Sequence, residues 1–264
     1  MKFRAASLVL AMFAPVVLHA NGVLLQYNYQ ENKPLFYVLN MQSASSFTTP
    51  DSPERNLKME THVAMRQELI EKDGDELKIA MTILNALQKV NDVAKPFPQG
   101  TNQTQIVRMK TNGTILSTLT PVPGQSPDQN AMQMVFPEDA VEAGKSWTRI
   151  KEIAQPIPVE TKTLYKITQL GPEQAIISSI MRLENTAGDA INATTKGTTT
   201  FNHKLGKIEQ STAESKFQFE IPMKVPGLLP NSANVKVTLD MQIHIKEVTE
   251  AEAMLNPWES KGNK

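Results

Sequence analysis

Apolar and polar residues alternate along most of this chain, and such a period of two is typical of half-buried β-strands. The run that begins at Asn56 shows the alternation most clearly, because Leu57, Met59 and Val63 fall on one face of the predicted strand and Lys58 on the other. The pattern predicts a protein built mainly from antiparallel strands. Further strand-like runs occupy residues 35–47, 161–170, 174–183, 194–203, 207–219 and 235–248.

Short polar breaks that contain glycine separate several of these runs and predict hairpins. The strongest signal is Asn112-Gly113, which lies between residues 106–110 and 115–119 and is a favoured pair for a type I′ turn. Glycine is common in such breaks because it adopts a positive φ at little cost. The same reasoning predicts turns at Gly74, at Gly171-Pro172 and at Leu205-Gly206.

The N-terminal part of the chain predicts a first hairpin and then a loop. Residues 21–30 and 35–47 are two runs rich in apolar and aromatic residues, and a polar break separates them at residues 31–34. Residues 48–53 carry threonine, serine and two prolines, a composition typical of a loop.

Residues 75–95 are compatible with two kinds of secondary structure. Leu77, Ile79 and Met81 continue the period of two, which favours a strand. Leu77, Met81 and Leu84 also fall on one face of a helix, and this alternative is favoured most toward the end of the segment. The sequence leaves both open.

Together these elements predict a mainly all-β fold, a strongly curved antiparallel sheet or half-open β-barrel of about ten to twelve strands, with one or two short helices. Residues 249–258 include a candidate helical turn. The halves 21–136 and 146–248 share one layout, so a duplicated meander within a single domain, residues 21–258, is one possibility. We expect residues 259–264 to form a flexible tail.

The first twenty residues have the composition of an export signal. Lys2 and Arg4 precede an apolar run at residues 5–17 that is too short to span a bilayer, and the segment closes on the small residue Ala20. We therefore expect cleavage before Asn21 and a periplasmic or secreted protein. No second long apolar run follows, so no stable membrane span is expected after cleavage.

Composition excludes several classes of function. The chain has no cysteine, which excludes disulfides, thiolate metal sites and a lipid anchor on cysteine. Its 27 basic and 27 acidic residues give a formal net charge of zero, and no basic stripe with interleaved aromatic residues is present. Nucleic acid is therefore not an expected partner.

No catalytic or metal-binding pattern is recognisable. His62, His203 and His244 have no partner at metal-ligand spacing, and Ser146 lacks the glycines of a nucleophile elbow or a phosphate loop. We predict no metal, no cofactor and no enzymatic activity. An enzyme would require His62, His203 or His244 to converge with carboxylates in one pocket.

The stretch FPEDAVEAGKSW, residues 136–147, joins the two halves and resembles a motif in a family of exported bacterial β-rich proteins of unknown function. Its motif positions are Pro137, Val141, Gly144, Ser146 and Trp147, and residues 198–211 resemble a recurrent hairpin of that family. The layout is more distantly similar to lipoprotein and lipid carriers of the bacterial envelope, whose half-open barrel holds an acyl chain. This resemblance implies a fold more than an activity, and the missing cysteine separates the chain from lipid-anchored members.

Methionine is the one unusual component, with 13 residues in the chain. Its soft side chain suits an apolar ligand of variable shape and equally suits an ordinary core. With the resemblance, it favours a non-enzymatic binder or carrier of a lipid-like ligand, with Met132, Met134, Phe136 and Trp147 as candidate ligand-binding residues near the concave face. The alternative is an envelope interaction or scaffold protein with a filled core, which takes a partner at a strand edge.

Overall fold

A computed structural model describes residues 22–49, 52–96, 102–119, 133–153, 159–185, 192–223 and 233–258. One antiparallel sheet of twelve strands contains nearly all of the regular structure, which confirms the predicted fold class. The elements are β1 (Leu35–Thr49), β2 (Ser52–Asp73), β3 (Glu76–Val90), β4 (Val93–Lys95), β5 (Thr104–Lys110), β6 (Ile115–Thr118), β7 (Ser146–Ile153), β8 (Val159–Leu170), β9 (Gln174–Asn185), β10 (Asn192–Asn202), β11 (Lys207–Met223), β12 (Ala233–Val248) and α1 (Glu250–Ala253).

The sheet has the strand order β6-β5-β3-β2-β1-β12-β11-β10-β9-β8-β7, with β4 paired to β3. The first and last strands, β1 and β12, meet at the centre of the sheet, with Met41 opposite Ile243. Each half of the chain therefore forms a meander on its own side. Both meanders run in the same direction across the sheet, as a tandem repeat of one unit would, but the duplication itself stays a prediction.

The sheet is curved and open. In a flat sheet β5 and β9 would lie about 34 Å apart, because seven strand spacings of about 4.8 Å separate them. Met109 of β5 and Ile177 of β9 nevertheless belong to one hydrophobic cluster. The sheet must bend around that cluster for both side chains to reach it, and the face that carries them is concave.

The concave face is closed at one end by two extended segments, residues 22–30 and 133–141. The first segment donates hydrogen bonds from Tyr27 N to Thr111 O at 2.7 Å and from Asn28 N to Gly206 O at 2.9 Å. Backbone bonds of 2.8 and 2.9 Å join Val23 to Val141. The hairpin predicted for residues 21–30 with 35–47 is therefore wrong. The first run is extended, but it pairs across the ends of other strands and not with β1.

The predicted loop at residues 48–53 is much shorter than expected. Thr49 pairs with Ser52, so only residues 50–51 separate β1 from β2. Pro53 lies within β2, near the start of that strand. Composition marked the turn correctly, but long-range pairing of β1 with β2 extends both strands into the proline-containing segment.

The alternative helix at residues 75–95 is wrong, because β3 extends from Glu76 to Val90 and pairs with β2 along its whole length. The hairpin at Asn112-Gly113 is confirmed, with β5 paired to β6. Its turn is not of type I′, since Gly113 has a φ of 90° and Asn112 is not among the residues with positive φ. A type I′ turn requires a positive φ at both central residues.

The predicted helical turn near the C-terminus is confirmed as α1. Thr249 caps it, since its hydroxyl accepts from the Glu252 amide while the Glu252 carboxylate accepts from the Thr249 amide. Ala253 packs against Val38 and Ala64 on the convex face of the sheet. The helix is four residues long. None of the helices in the described ranges is long and apolar enough to cross a membrane.

Candidate ligand-binding face

Cross-strand register places the odd-numbered residues along the middle of the seven central strands on the concave side, which we call the inner face. Neighbouring strands of an antiparallel sheet share a face at paired positions, and buried core residues such as Ile167, Ile177 and Phe201 fix which face this is. The inner face comprises the odd-numbered positions of residues 161–167, 175–183, 193–201, 211–219, 235–245, 37–47 and 57–67.

None of these inner-face positions is Asp, Glu, Lys or Arg. Charged residues appear where the span ends, at Arg55 opposite Phe47 and at Glu247 opposite Tyr37. The even-numbered positions of the same strands form the outer face, and they carry charged residues such as Lys58, Glu214 and Asp240. If water covered both faces of the sheet, charged side chains would be tolerated equally well on either face. The separation of charge therefore indicates that the inner face meets an apolar environment.

The central part of the inner face is only half-buried. Met41, Met59 and Met241 lie on adjacent strands at this level, and their side chains remain partly accessible. Phe47 and Leu57 at one end of the face are 37% and 36% exposed. Accessible apolar side chains on a concave surface are typical of sites for apolar ligands.

The closed end of the sheet is instead filled by aromatic side chains. Tyr27 lies 5.3 Å from Phe136 and 5.5 Å from Phe201, measured between ring centroids, and Phe136 lies 4.6 Å from Phe201. These distances are within the range in which aromatic rings attract each other. The cluster forms a solid plug at one end of the concavity.

Three buried tyrosine hydroxyls bring polar bonds into this plug. Tyr29 donates to Gln67 Oε1 at 2.7 Å, and Tyr37 donates to Ile208 O at 3.0 Å. Burial raises the pKa of Tyr27, Tyr29 and Tyr37 above the ordinary value for a phenol, because the phenolate would lose its hydration. The three hydroxyls therefore stay protonated and act as hydrogen-bond donors rather than as bases.

The predicted ligand-binding residues lie at the plug rather than over the open part of the face. Met134 and Phe136 are buried in the hydrophobic cluster. Trp147 is partly buried beside it, donates from Nε1 to Val135 O at 2.9 Å, and stacks on Tyr165 at 5.3 Å. Met132 lies outside the described residues. Contact of these residues with a ligand stays a prediction.

The plug also differs from the open face in how much room it offers a ligand. The cavity between Tyr27, Tyr29 and Gln133 has a volume of about 10 Å³, which is too small for an acyl chain. A groove of about 830 Å³ on the outer face is lined mainly by polar and charged side chains, including Lys196 and Glu214. An acyl chain therefore does not fit the plug and does not match this polar groove, whereas the open inner face offers accessible apolar side chains.

His62 and His244 both pair with Asn40 in the register, one on each neighbouring strand, and His203 lies elsewhere. His62 lies on the outer face against Asn40, with Nδ1 2.8 Å from the amide oxygen, and His203 Nε2 lies 3.0 Å from Gly171 O at the β8–β9 turn. Within the described part of the chain, no three His, Asp or Glu residues are close enough to hold a metal ion.

The fold and the uncharged concave face define a class of architecture, a curved open sheet with an apolar interior. The chain is similar to part of a solved structure concerned with lipid–protein interactions in lipovitellin, with a TM-score of 0.51 and 9% identity. That match covers 84% of this chain but only 26% of the lipovitellin chain, so this chain spans about a quarter of that protein. At this identity the likeness shows the fold alone.

A second match is DynF, from the dynemicin biosynthesis pathway of Micromonospora chersina. It covers 94% of this chain and 95% of that chain at 8% identity, with a TM-score of 0.25. A score this low supports no structural argument. No protein-family model and no curated protein matches the sequence.

The uncharged span of the inner face was not predicted from the sequence. The span is made of odd-numbered positions in seven separate strands, and only the register shows that these positions share one face. Alternation within one strand predicts that strand, but it does not show which residues of different strands share a face of the sheet.

Proposed function

We propose that this protein is a non-enzymatic binder or carrier of an apolar, lipid-like ligand, which lies along the inner face of the curved sheet. The observation that carries the proposal is the lack of charged residues along the central span of the inner face on seven strands, against their frequency on the outer face. Burying apolar surface contributes about 25 cal/mol per Å², so a ligand lying along this face gains affinity without any polar contact.

The middle of the inner face offers adaptable contacts for such a ligand. Met41, Met59 and Met241 lie on three neighbouring strands, with Ser43 between the last two in the pairing register. Methionine has several rotatable bonds and adjusts to ligands of different shape. This part of the face therefore suits a class of acyl-chain ligands better than one rigid molecule.

The likeness in fold to part of lipovitellin supports the same proposal, because that structure is of a protein described by its lipid interactions. Export to the periplasm or the exterior belongs to the proposal as well. N-terminal sequencing of protein recovered from the exporting host tests the expected cleavage before Asn21.

The test of the carrier proposal is native mass spectrometry of protein purified from its exporting host, followed by titration with a long-chain fatty acid. We expect a co-purified mass or stoichiometric uptake of the fatty acid. The matched variants are Met241→Glu and Gln242→Glu. They place the same negative charge at adjacent positions, one on the inner face and one on the outer face.

Met241→Glu should abolish uptake, because the ligand would have to desolvate a carboxylate. Gln242→Glu should leave uptake unchanged. Thermal unfolding of both variants shows whether the sheet is intact. Equal uptake by the two variants, or a clean unliganded mass with no uptake by the parent protein, rules out an apolar ligand on the inner face.

The second candidate function is that of an envelope scaffold with no small ligand. The edge strands β6 and β7 favour it, since each has a neighbour on one side only within the described part of the sheet. An exposed edge pairs readily with a strand from another protein. Two results together would support the scaffold. The protein would take up no lipid, and it would lose its protein partners when Thr148 at the β7 edge is replaced by proline.

A further inference from the structure

The outer face of β7, β8 and β9 carries an apolar patch in the midst of an otherwise polar surface. Ile150 is 58% exposed, Leu164 is 46% exposed and Ile180 is 40% exposed. Leu164 and Ile180 are direct cross-strand partners, and Ile150 lies diagonally beside Leu164. Aliphatic side chains grouped in this way on an outer surface mark a site of contact with another body.

Three cations surround this apolar patch. Lys162 pairs with both Ile150 and Arg182 in the register, while Lys166 lies two positions beyond Leu164 on the same strand. All three side chains are exposed, and none forms a salt bridge within the described part of the chain. We call these six residues the β7–β9 patch.

The charged residues that border the patch differ from one side to the other. Beyond the row of Lys162 and Arg182, the next row of the register holds Glu152, Glu160 and Glu184. On the β10 side, Lys196 lies beside Ile180 and pairs with Glu214. The three cations are thus grouped around the aliphatic residues on three strands, over about 10 Å across the strands and about 14 Å along them, and the acidic row runs along one border of the patch.

We propose that the β7–β9 patch docks the protein onto an anionic lipid bilayer. Three unpaired cations around three aliphatic side chains match a surface that is negative at the headgroups and apolar beneath them. The six residues lie on one face of three neighbouring strands, so their side chains all project to the same side and can meet one surface together. An acidic protein partner would offer the charge but no general apolar layer behind it.

The docking surface is independent of the ligand-binding proposal, because it lies on the opposite face of the sheet. In a carrier it would hold the protein at a membrane while the inner face exchanges its ligand. Failure of one therefore leaves the other standing. Fatty-acid uptake and vesicle binding are separate measurements.

The experiment is co-sedimentation of the purified protein with phosphatidylcholine vesicles that contain phosphatidylglycerol, compared with phosphatidylcholine alone, at low and high salt. We expect binding to the anionic vesicles that weakens as salt is raised, because the attraction is screened. For each variant, all vesicle measurements use a single batch of protein whose N-terminus has been checked by mass spectrometry. Any uncleaved N-terminal signal then contributes equally to binding at every lipid composition and salt concentration.

The charge variant is Lys162→Gln with Lys166→Gln and Arg182→Gln. Its matched control is Lys58→Gln with Lys216→Gln and Lys236→Gln, which removes the same charge from exposed outer-face positions on β2, β11 and β12, away from the patch. We expect the patch variant to lose about tenfold or more in vesicle partitioning. The control should lose much less.

The apolar variant is Ile150→Thr with Leu164→Thr and Ile180→Thr, which keeps strand propensity. It should also weaken binding, whereas Leu116→Thr, a change at a 41% exposed residue on β6, should not. No binding to anionic vesicles at low salt overturns the proposal. So does equal loss in the patch variant and its control, which would leave only nonspecific attraction or a protein partner.

Discussion

The Tyr27 hydroxyl accepts a hydrogen bond from the Met134 amide at 2.9 Å and donates one to the Met134 carbonyl at 3.2 Å. These two residues are 107 positions apart in the chain. The bond pair joins the two extended segments that close one end of the sheet, which stand near the two ends of the first half of the molecule. Phe201 of the second half packs on Tyr27 and Phe136, so the complete plug forms only when both halves have folded against each other.

Tyr27→Phe should lower the free energy of unfolding by about 1–3 kcal/mol, because it leaves two buried backbone groups of Met134 without their partner. Urea unfolding measures the change. Leu24→Ala in the same segment is the control, since Leu24 is 43% exposed. A loss as small as that of the control would mean that the two segments are held by apolar packing alone.

Gly206, in the β10–β11 turn, lies very close to the backbone of Asn28 in the N-terminal segment. Its φ is +67°, and an added Cβ would lie 2.3 Å from Asn28 N. Gly206→Ala should cost more than about 2 kcal/mol of stability, since it adds a backbone clash to the strain of a left-handed residue. The N-terminal segment would be displaced from the turn.

Gly74→Ala separates the clash from the strain. Gly74 has a φ of +57° but no atom within 4 Å of an added Cβ, so its replacement should cost about 1 kcal/mol. Chemical denaturation of the two variants provides the comparison. Equal losses would show that only the backbone conformation matters at Gly206 and that contact with Asn28 contributes nothing.

The sequence predicted the hairpins well because their signals are local. Gly74 and Gly206 stand at turns between alternating runs, and the structure places both at positive φ. Residues 21–30 were misassigned because their alternation is genuine, with Leu25, Tyr27 and Tyr29 buried on one side. Periodicity reveals which side of a segment is buried, but it does not reveal which backbone the segment pairs with. Here the segment pairs with distant turns and with a second extended segment.

The candidate site was predictable only in part, for the same physical reason. Met134 and Phe136 were singled out by position near the central motif, and they are buried in the plug. Met41, Met59 and Met241 come from strands far apart in the sequence and become neighbours through pairing around the β1–β12 seam. Which strands meet at that seam is set by the global order of the sheet, which local patterns do not encode.

His62 should make stability depend on pH. It is 4% exposed, its Nδ1 contacts Asn40, and its Nε2 has no hydrogen-bond partner within the described residues. Burial lowers the pKa of His62, because the imidazolium would lose its hydration. The unfolded chain therefore binds the proton more tightly than the folded protein does.

Stability should accordingly be fully present above the ordinary histidine pKa of about 6.5 and fall as pH drops through that value toward the lowered pKa of folded His62. Urea unfolding between neutral and mildly acidic pH measures this slope. His62→Gln should flatten it. His244→Gln, on the same outer face, should not, and an unchanged slope in His62→Gln would show that other groups set the acid sensitivity.

Trp147 provides a direct report on where a ligand lies. The chain has two tryptophans. Trp147 stacks on Tyr165 beside the inner face, whereas Trp258 lies under Lys89, whose Nζ is 4.5 Å from the ring centroid. Trp258→Phe therefore leaves a single fluorophore at the predicted site, and Trp147→Phe leaves one away from it.

Titration of the Trp258→Phe protein with a long-chain fatty acid should shift the emission of Trp147 to shorter wavelength, because an acyl chain would displace water from the accessible part of this partly buried ring. The Trp147→Phe protein should show no shift. Mass spectrometry on the same samples verifies occupancy. Bound fatty acid without a response from Trp147 would place the ligand farther along the open face, near Met59 and Met241, and would remove Trp147 from the binding site.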